Sequence, residues 1–349
     1  MCYHLDSRTR TLLSWGPHEY YPARIGEVLD SRYQIVGKLG YGSTSAFWMF
    51  GDLHDVYRAG NKYTKQKSRK ENIELAHPGK DGMRTLEHSF SLPGADNTYQ
   101  HISLVHEPMS VSLEEFASFA NGVIPEEVLH EAIESILMAL DLPHTEAGLI
   151  HTDLQAKNIL YRIKDPGIFK HYEEAEMTHP VPRIINGDRI IYLTRRPRMS
   201  IALPMVIADW GERAPEVFLE TPWNEKVDIW NLGVLIWNIF ENRSLFHALD
   251  EQGDLCNGHH LAEMVALLGS PPPELVKNNV YGSKYFNEDE HPKWINIQDT
   301  SFEKLETRLT GANKERFLAF IRSMLKWDPA KRASAKELLQ DERIDRVWD

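Results

Sequence analysis

Up to about residue 109 the apolar residues of this 349-residue chain fall in strand-like runs parted by glycine turns, and from Pro125 onward they recur at helical spacing. Such a change of period restricts the fold strongly, because a strand buries alternate residues whereas a helix buries a stripe of residues three to four apart. The segment RYQIVGKLGYGSTSAFWMF, from Arg32, reads as strand, glycine turn, strand. ISLVHEPM, Ile102 to Met109, reads as a buried strand running into a turn. From Pro125 to Leu142 apolar residues stand at Val128, Leu129, Ala132, Ile133, Ile136, Leu137 and Leu140, and Pro125 is well placed to start that helix. Further helical patterns cover Val227 to Phe240, His260 to Leu268 and Lys314 to Leu325. Strands in front and helices behind predict an α+β fold with segregated elements, in a chain long enough for two lobes with separate cores.

Three stretches lack a sustained period. Residues 1–22 read as an N-terminal extension and 163–200 as a polar insert. The lysine-rich run from Lys62 to Lys80 reads as a solvated loop or a short polar helix stopped by Pro78. The formal charge, 39 − 51 = −12, disfavours a basic nucleic-acid face and tolerates a basic peptide partner. Two cysteines, Cys2 and Cys256, argue against a disulfide framework. The opening MCYHLDSRTRTLLSW has no apolar run of leader length, and Asp228 to Phe240 is too short to span a bilayer. A soluble intracellular protein with no membrane partner is expected.

Six motifs stand out in order along the chain. Gly40-Tyr41-Gly42-Ser43-Thr44-Ser45 can fold over a phosphate chain and offer it backbone N–H groups, or can be a plain hairpin turn. His151 to Asn158, HTDLQAKN, has the spacing H-x-D-x-x-x-x-N, in which the Asp accepts a hydroxyl proton and the Asn holds magnesium. Ala208-Asp209-Trp210-Gly211 follows the apolar Met205-Val206-Ile207, as D-F-G follows a strand. Ala214-Pro215-Glu216 comes next, Asp228 opens VDIWNLGVLIW twelve residues later, and Trp327 to Arg332, WDPAKR, closes the last helical pattern.

In this order the motifs resemble the eukaryotic protein kinases, and the H-T-D triplet with PWNEKVDIWNLGVLIW resembles the serine/arginine-protein kinase branch. HLAEMVALLGSPP, His260 to Pro272, is similar to the helical insert of the larger kinase group that contains that branch. The resemblance covers roughly Gly26 to Val347. It implies a two-lobed kinase fold, with residues 23–109 as the N-lobe and hinge and 110–349 as the C-lobe. It also implies ATP and Mg²⁺ as cofactors, an Arg/Ser-rich protein substrate, a monomer, and a place in the cytoplasm, the nucleus or both. Asp153 would be the catalytic base, and Asn158 and Asp209 the metal ligands. Gly40, Gly42 and Phe47 would cover ATP, His106 would be the gatekeeper, and Glu107 and Met109 the hinge that meets adenine. Glu216 and Arg332 resemble a buried ion pair that anchors the C-lobe, Asp228 its helix anchor, and Glu74 the C-helix glutamate. With Thr152 in place of an arginine, no switch by activation-loop phosphorylation is expected.

The departures are local. No apolar third strand with its lysine follows His54, and Lys62, Lys65 and Lys67 sit in polar surroundings. Pro78 cuts the C-helix pattern about one turn after Glu74. Gln155 replaces the catalytic-loop lysine, for which Lys157 is the candidate substitute, and Pro143 falls in the last turn of a helix. Only Glu212 and Arg213 separate Gly211 from Ala214, a reach of at most about 11 Å where kinases have a long activation segment. The motifs flanking each gap are intact, as though blocks had been removed. Two readings follow: a kinase with internal deletions and impaired turnover, or a pseudokinase that serves as a binding scaffold.

Overall fold

The computed structural model describes residues 20–41, 45–54, 77–94, 99–120, 122, 124–187, 189–208, 214–277, 280–287, 293, 297 and 299–343. Gly42, Glu74 and Asp209 lie outside them, as do Lys62, Lys65, Lys67 and residues 211–213, so the expectations about a third strand, a C-helix and a shortened activation segment fall there too.

In chain order the strands are β1 (Val28–Leu29), β2 (Tyr33–Tyr41), β3 (Ala46–Asp52), β4 (Leu86–Pro93), β5 (Gln100–His106), β6 (Ile159–Arg162), β7 (Arg183–Asn186), β8 (Arg189–Tyr192) and β9 (Ala202–Ile207). The longer helices are α1 (Leu113–Phe119), α2 (Glu126–Leu142), α3 (Gly167–Thr178), α4 (Lys226–Glu241), α5 (Asn257–Leu268) and α6 (Gly311–Met324), with short helical turns between them. None among the described residues is long and apolar enough to cross a membrane.

The chain divides into two compact units. The strand-rich unit takes the described residues within 1–74, 84–110 and 162–202. Strands β1, β2 and β3 form an antiparallel sheet in that order, with Tyr33 opposite Asp52 and Gly40 opposite Phe47. Arg32 clamps Asp52 with two nitrogens, at 2.6–3.0 Å. Strands β4 and β5 pair with each other. One face of that pair is closed by Tyr33, whose ring stacks on Phe90 and whose hydroxyl lies 3.1 Å from His88 Nδ1.

Ile102 to Met109 is half of what its composition suggests. The strand is there, yet Ile102 is 75% and Leu104 56% exposed, and of its apolar residues only Val105 is buried. Alternate residues of a strand face opposite ways, and Ile102 and Leu104 stand on the face that the described residues leave exposed.

The polar segment 163–200 holds a helix and a hairpin. Helix α3 presents Ile168, Phe169 and Tyr172 to Met49, with Val36 and Leu39 packed alongside. Tyr172 donates its hydroxyl proton to the Lys38 carbonyl at 3.2 Å, and a Cβ on Gly37 would stand 2.6 Å from that hydroxyl. Strand β2 therefore requires glycine there for α3 to approach it.

The helix-rich unit takes the described residues within 75–83, 111–161 and 203–349. Helix α2 starts after Pro125 and buries Leu129, Ile133, Ile136, Leu137 and Leu140, the expected stripe. It stops at Leu142. Pro143 opens one wide turn, Pro143–Ala147, that Gly148 ends at φ 60°, so the proline caps the helix rather than breaking it. Helix α4 is buried over nearly its whole length, with Trp230, Trp237 and Phe240 inside. Phe240 meets Phe317 of α6 with ring centroids 4.6 Å apart. Each such ring, fully buried, stabilises the unit by about 1.5–3 kcal/mol.

Candidate functional site

The loop that precedes β6 is built by long-range hydrogen bonds to α4. Asp228, in the first turn of α4, is fully buried. Its Oδ2 accepts the His151 N–H at 2.7 Å and its Oδ1 the Thr152 N–H at 2.5 Å. His144 Nε2, from the wide turn after α2, lies 2.7 Å from the same Oδ2. One turn further along α4, Asn231 donates to the Thr152 carbonyl at 2.9 Å. These contacts hold Thr152 at φ 70°, in the left-handed region that a residue bearing a Cβ seldom adopts.

That turn presents Asp153. Asn158 Nδ2 donates to Asp153 Oδ2 and to the Asp153 carbonyl, both at 3.0 Å. Gln155 Nε2 donates to Oδ1 in a short contact. Both carboxylate oxygens thus have an amide donor, which sets the orientation of the group. Lys157 is exposed on the 3₁₀ turn Ala156–Asn158, and the side chain that meets Asp153 at the replaced lysine position is Gln155 itself. The Ala208 N–H donates to the Asn158 carbonyl at 2.8 Å, as β9 runs beside β6.

The structure also joins Glu216 and Arg332. Two guanidinium nitrogens meet the two carboxylate oxygens at 2.6 and 2.8 Å, with the side chains 1% and 0% exposed. Arg332 further donates to the carbonyls of Lys326 at 2.8 Å and Lys226 at 2.9 Å, and it lies over the Trp230 ring.

In the strand-rich unit Gly40 and Phe47 face each other across β2 and β3. A Cβ on Gly40 would meet nothing within 4 Å, and Phe47 is 37% exposed, so both border open space. After β5, His106 Nδ1 donates to the Thr85 carbonyl at 2.9 Å, and Glu107 pairs with Arg162 at 2.7 Å. Met109 is half-buried, and among the described residues its backbone makes no hydrogen bond.

His144, Asn231 and the contact of Gln155 are additions to the residues legible in the chain. Asn231 carried a signal, since it stands three residues after Asp228 on one helix face. His144 carried none, because its partner is 84 residues away.

Comparison with known proteins follows the same lines. The protein kinase domain family matches residues 33–344. A serine/threonine protein kinase of Aspergillus fumigatus is 34% identical over 357 residues, covering 92% of this chain and 86% of that protein. The serine/threonine-protein kinase SRPK of Physarum polycephalum is 26% identical over 381 residues, covering 92% and 88%. The human dual specificity protein kinase CLK1 is 25% identical over 349 residues, covering 92% and 67%.

Proposed function

The chain belongs to the protein kinase family, and on that premise we propose that it transfers the γ-phosphoryl group of ATP to serine or threonine in Arg/Ser-rich protein segments. The family uses ATP, a divalent cation and a protein acceptor. One observation carries the reading. The Asp153 carboxylate is oriented by amide donors of Asn158 and Gln155 on a loop whose backbone Asp228 holds from beneath. A net charge of −12 suits a basic peptide better than an acidic one.

In this proposal Asp153 takes the proton of the acceptor hydroxyl while that oxygen forms the new P–O bond and ADP departs. The backbone of Met109, with no hydrogen-bond partner among the described residues, suits an adenine edge, and Gly40 and Phe47 border the space where the nucleotide would be covered. Asn158 offers an oxygen donor of the hard kind that magnesium takes, and with Asp209 it would hold the ion. Magnesium bound there would offset phosphate charge. Positioning supplies most of the rate in phosphoryl transfer. Glu216–Arg332 and Asp228 act on it through the fold. Residues 23–109 would serve as N-lobe and hinge and 110–349 as C-lobe, behind an extension over 1–22. We place the protein as a monomer in the cytoplasm or nucleus.

Turnover is expected to be slow, since Gln155 stands where the family has lysine and two residues stand where it has an activation segment. Those same departures favour the scaffold as the second reading. The test is phosphate incorporation into an Arg/Ser peptide, run beside nucleotide binding. Slow incorporation that Asp153→Ala abolishes supports the enzyme. Nucleotide binding with no incorporation replaces it with the scaffold.

A further inference from the structure

Among the described residues two lysine or arginine side chains are buried, Lys38 and Arg332. Arg332 is matched by Glu216. Lys38, 5% exposed on β2, has no carboxylate and no hydrogen-bond acceptor for its ammonium among the described residues. Among the described residues, ring faces approach it, Tyr41 at 4.9 Å and Trp48 at 5.9 Å. A buried cation is ordinarily paired, because leaving water without a counter-charge is unfavourable. Burial accordingly pushes the Lys38 amine down to about 8.

Lys38 lines a cavity of about 60 Å³ that residues 20–23, β3 and β8 also line, with Tyr21, Trp48, Arg189 and Tyr192 in its wall. A single water needs about 10–15 Å³ of such space, so the cavity takes a group larger than one water. Trp48 and Tyr192 meet edge to face at 5.9 Å and make an apolar wall. The Tyr21 hydroxyl is already committed to Glu27, at 2.7 Å.

We propose that this cavity is a binding site for a small aliphatic monocarboxylate, such as acetate or propionate, whose charge Lys38 neutralises. Acetate has four heavy atoms and propionate five, so each is larger than one water. One unpaired ammonium matches one negative charge, and the aromatic wall suits a short alkyl stem better than a strongly hydrated dianion. The site lies wholly within the strand-rich unit and does not rest on the phosphotransfer reading.

The test follows the Lys38 side-chain resonance by NMR in the full chain labelled at lysine, assigned by its loss in Lys38→Met or, should that variant not fold, Lys38→Arg. Sodium acetate and propionate are titrated against chloride and sulfate at equal ionic strength. The titratable and charged groups that line the cavity with Lys38 are Tyr20, Tyr21, Tyr192 and Arg189, and Tyr41 lies under its ammonium, so the proton is read on Lys38 itself. The expected result is a saturable shift with the carboxylates alone, an amine pKa raised by one unit or more at saturation, and affinity falling about tenfold for each pH unit above 8. A resonance that acetate leaves in place overturns the proposal, as does an equal response to sulfate. So does thermal stabilisation by acetate that survives the loss of Lys38.

Discussion

Replacing Asp228 by alanine tests how the candidate catalytic loop is held. The change removes the acceptor of three donors: the N–H groups of His151 and Thr152, and His144 Nε2. A buried donor left without a partner costs about 1–3 kcal/mol. Three of them give a ceiling of about 9 kcal/mol, which loop movement and water entry reduce. Relaxation of Thr152 out of its left-handed conformation returns roughly 1–2 kcal/mol. The expected net loss is therefore about 3–5 kcal/mol. In urea titrations this is a lower midpoint at unchanged slope. Amide exchange adds a local readout: His151 and Thr152 should exchange at least about 100-fold faster, since 1.4 kcal/mol is tenfold. Asn231→Ala, which removes one hydrogen bond to a carbonyl, should cost only about 1 kcal/mol. If Asp228→Ala lies within 1 kcal/mol of the parent and those two amides keep their protection, the loop is held by something else.

The other predictions are narrower. Glu216→Ala should destabilise by about 3–5 kcal/mol by leaving Arg332 buried without its partner, and adding Arg332→Met should cost much less than its own single effect, as a double-mutant cycle in urea would show. Lys38 has its amine at about 8 when folded against 10.5 when free, so the unfolded chain holds more protons between those values and stability rises with pH across that window. The full gap corresponds to about 3 kcal/mol, so Lys38→Met should raise stability at pH 7 by about 1–3 kcal/mol and flatten the rise between pH 8 and 10.5 in thermal melts. Gln155→Ala removes an amide that orients Asp153 and should lower the slow phosphate incorporation, while Gln155→Lys, the family residue, should raise it; a rise with alanine would mean that the amide contact holds Asp153 back.

How far the chain could be read follows from the range of the interactions. The β2–β3 hairpin and α2 are set by neighbours in sequence, so their apolar spacing is enough to place them. HTDLQAKN was legible as a motif because its pattern sits within eight residues. Ile102 to Met109 was misread because an apolar run does not say which of its faces will be covered. The segment 163–200 read as a polar insert without a period because α3 buries only Ile168, Phe169, Tyr172 and Glu176, too narrow a stripe to register. Burial of Lys38 had no local sign at all, since the residues that enclose it come from 20–23 and 189–192 as well as from β3.

The contact of Tyr172 with the Lys38 carbonyl has a consequence for synthesis on the ribosome. The two residues are 134 apart, and the Arg195 N–H reaches the same carbonyl. A chain emerging from its N-terminus presents β2 and β3 long before it can present α3 or the stretch up to residue 195. At about 5–20 residues per second the wait is roughly 7–30 s. For that interval Met49, Val36 and Leu39 lack their cover, and the nascent strands are a surface for chaperones or for wrong pairing. The helix-rich unit draws most of its chain from still later residues, so the strand-rich unit has all of its residues before the helix-rich one does. Ribosome-bound chains arrested before α3 has emerged should accordingly be cut by protease within β2 and β3, and chains arrested after residue 195 has cleared the exit should resist it there.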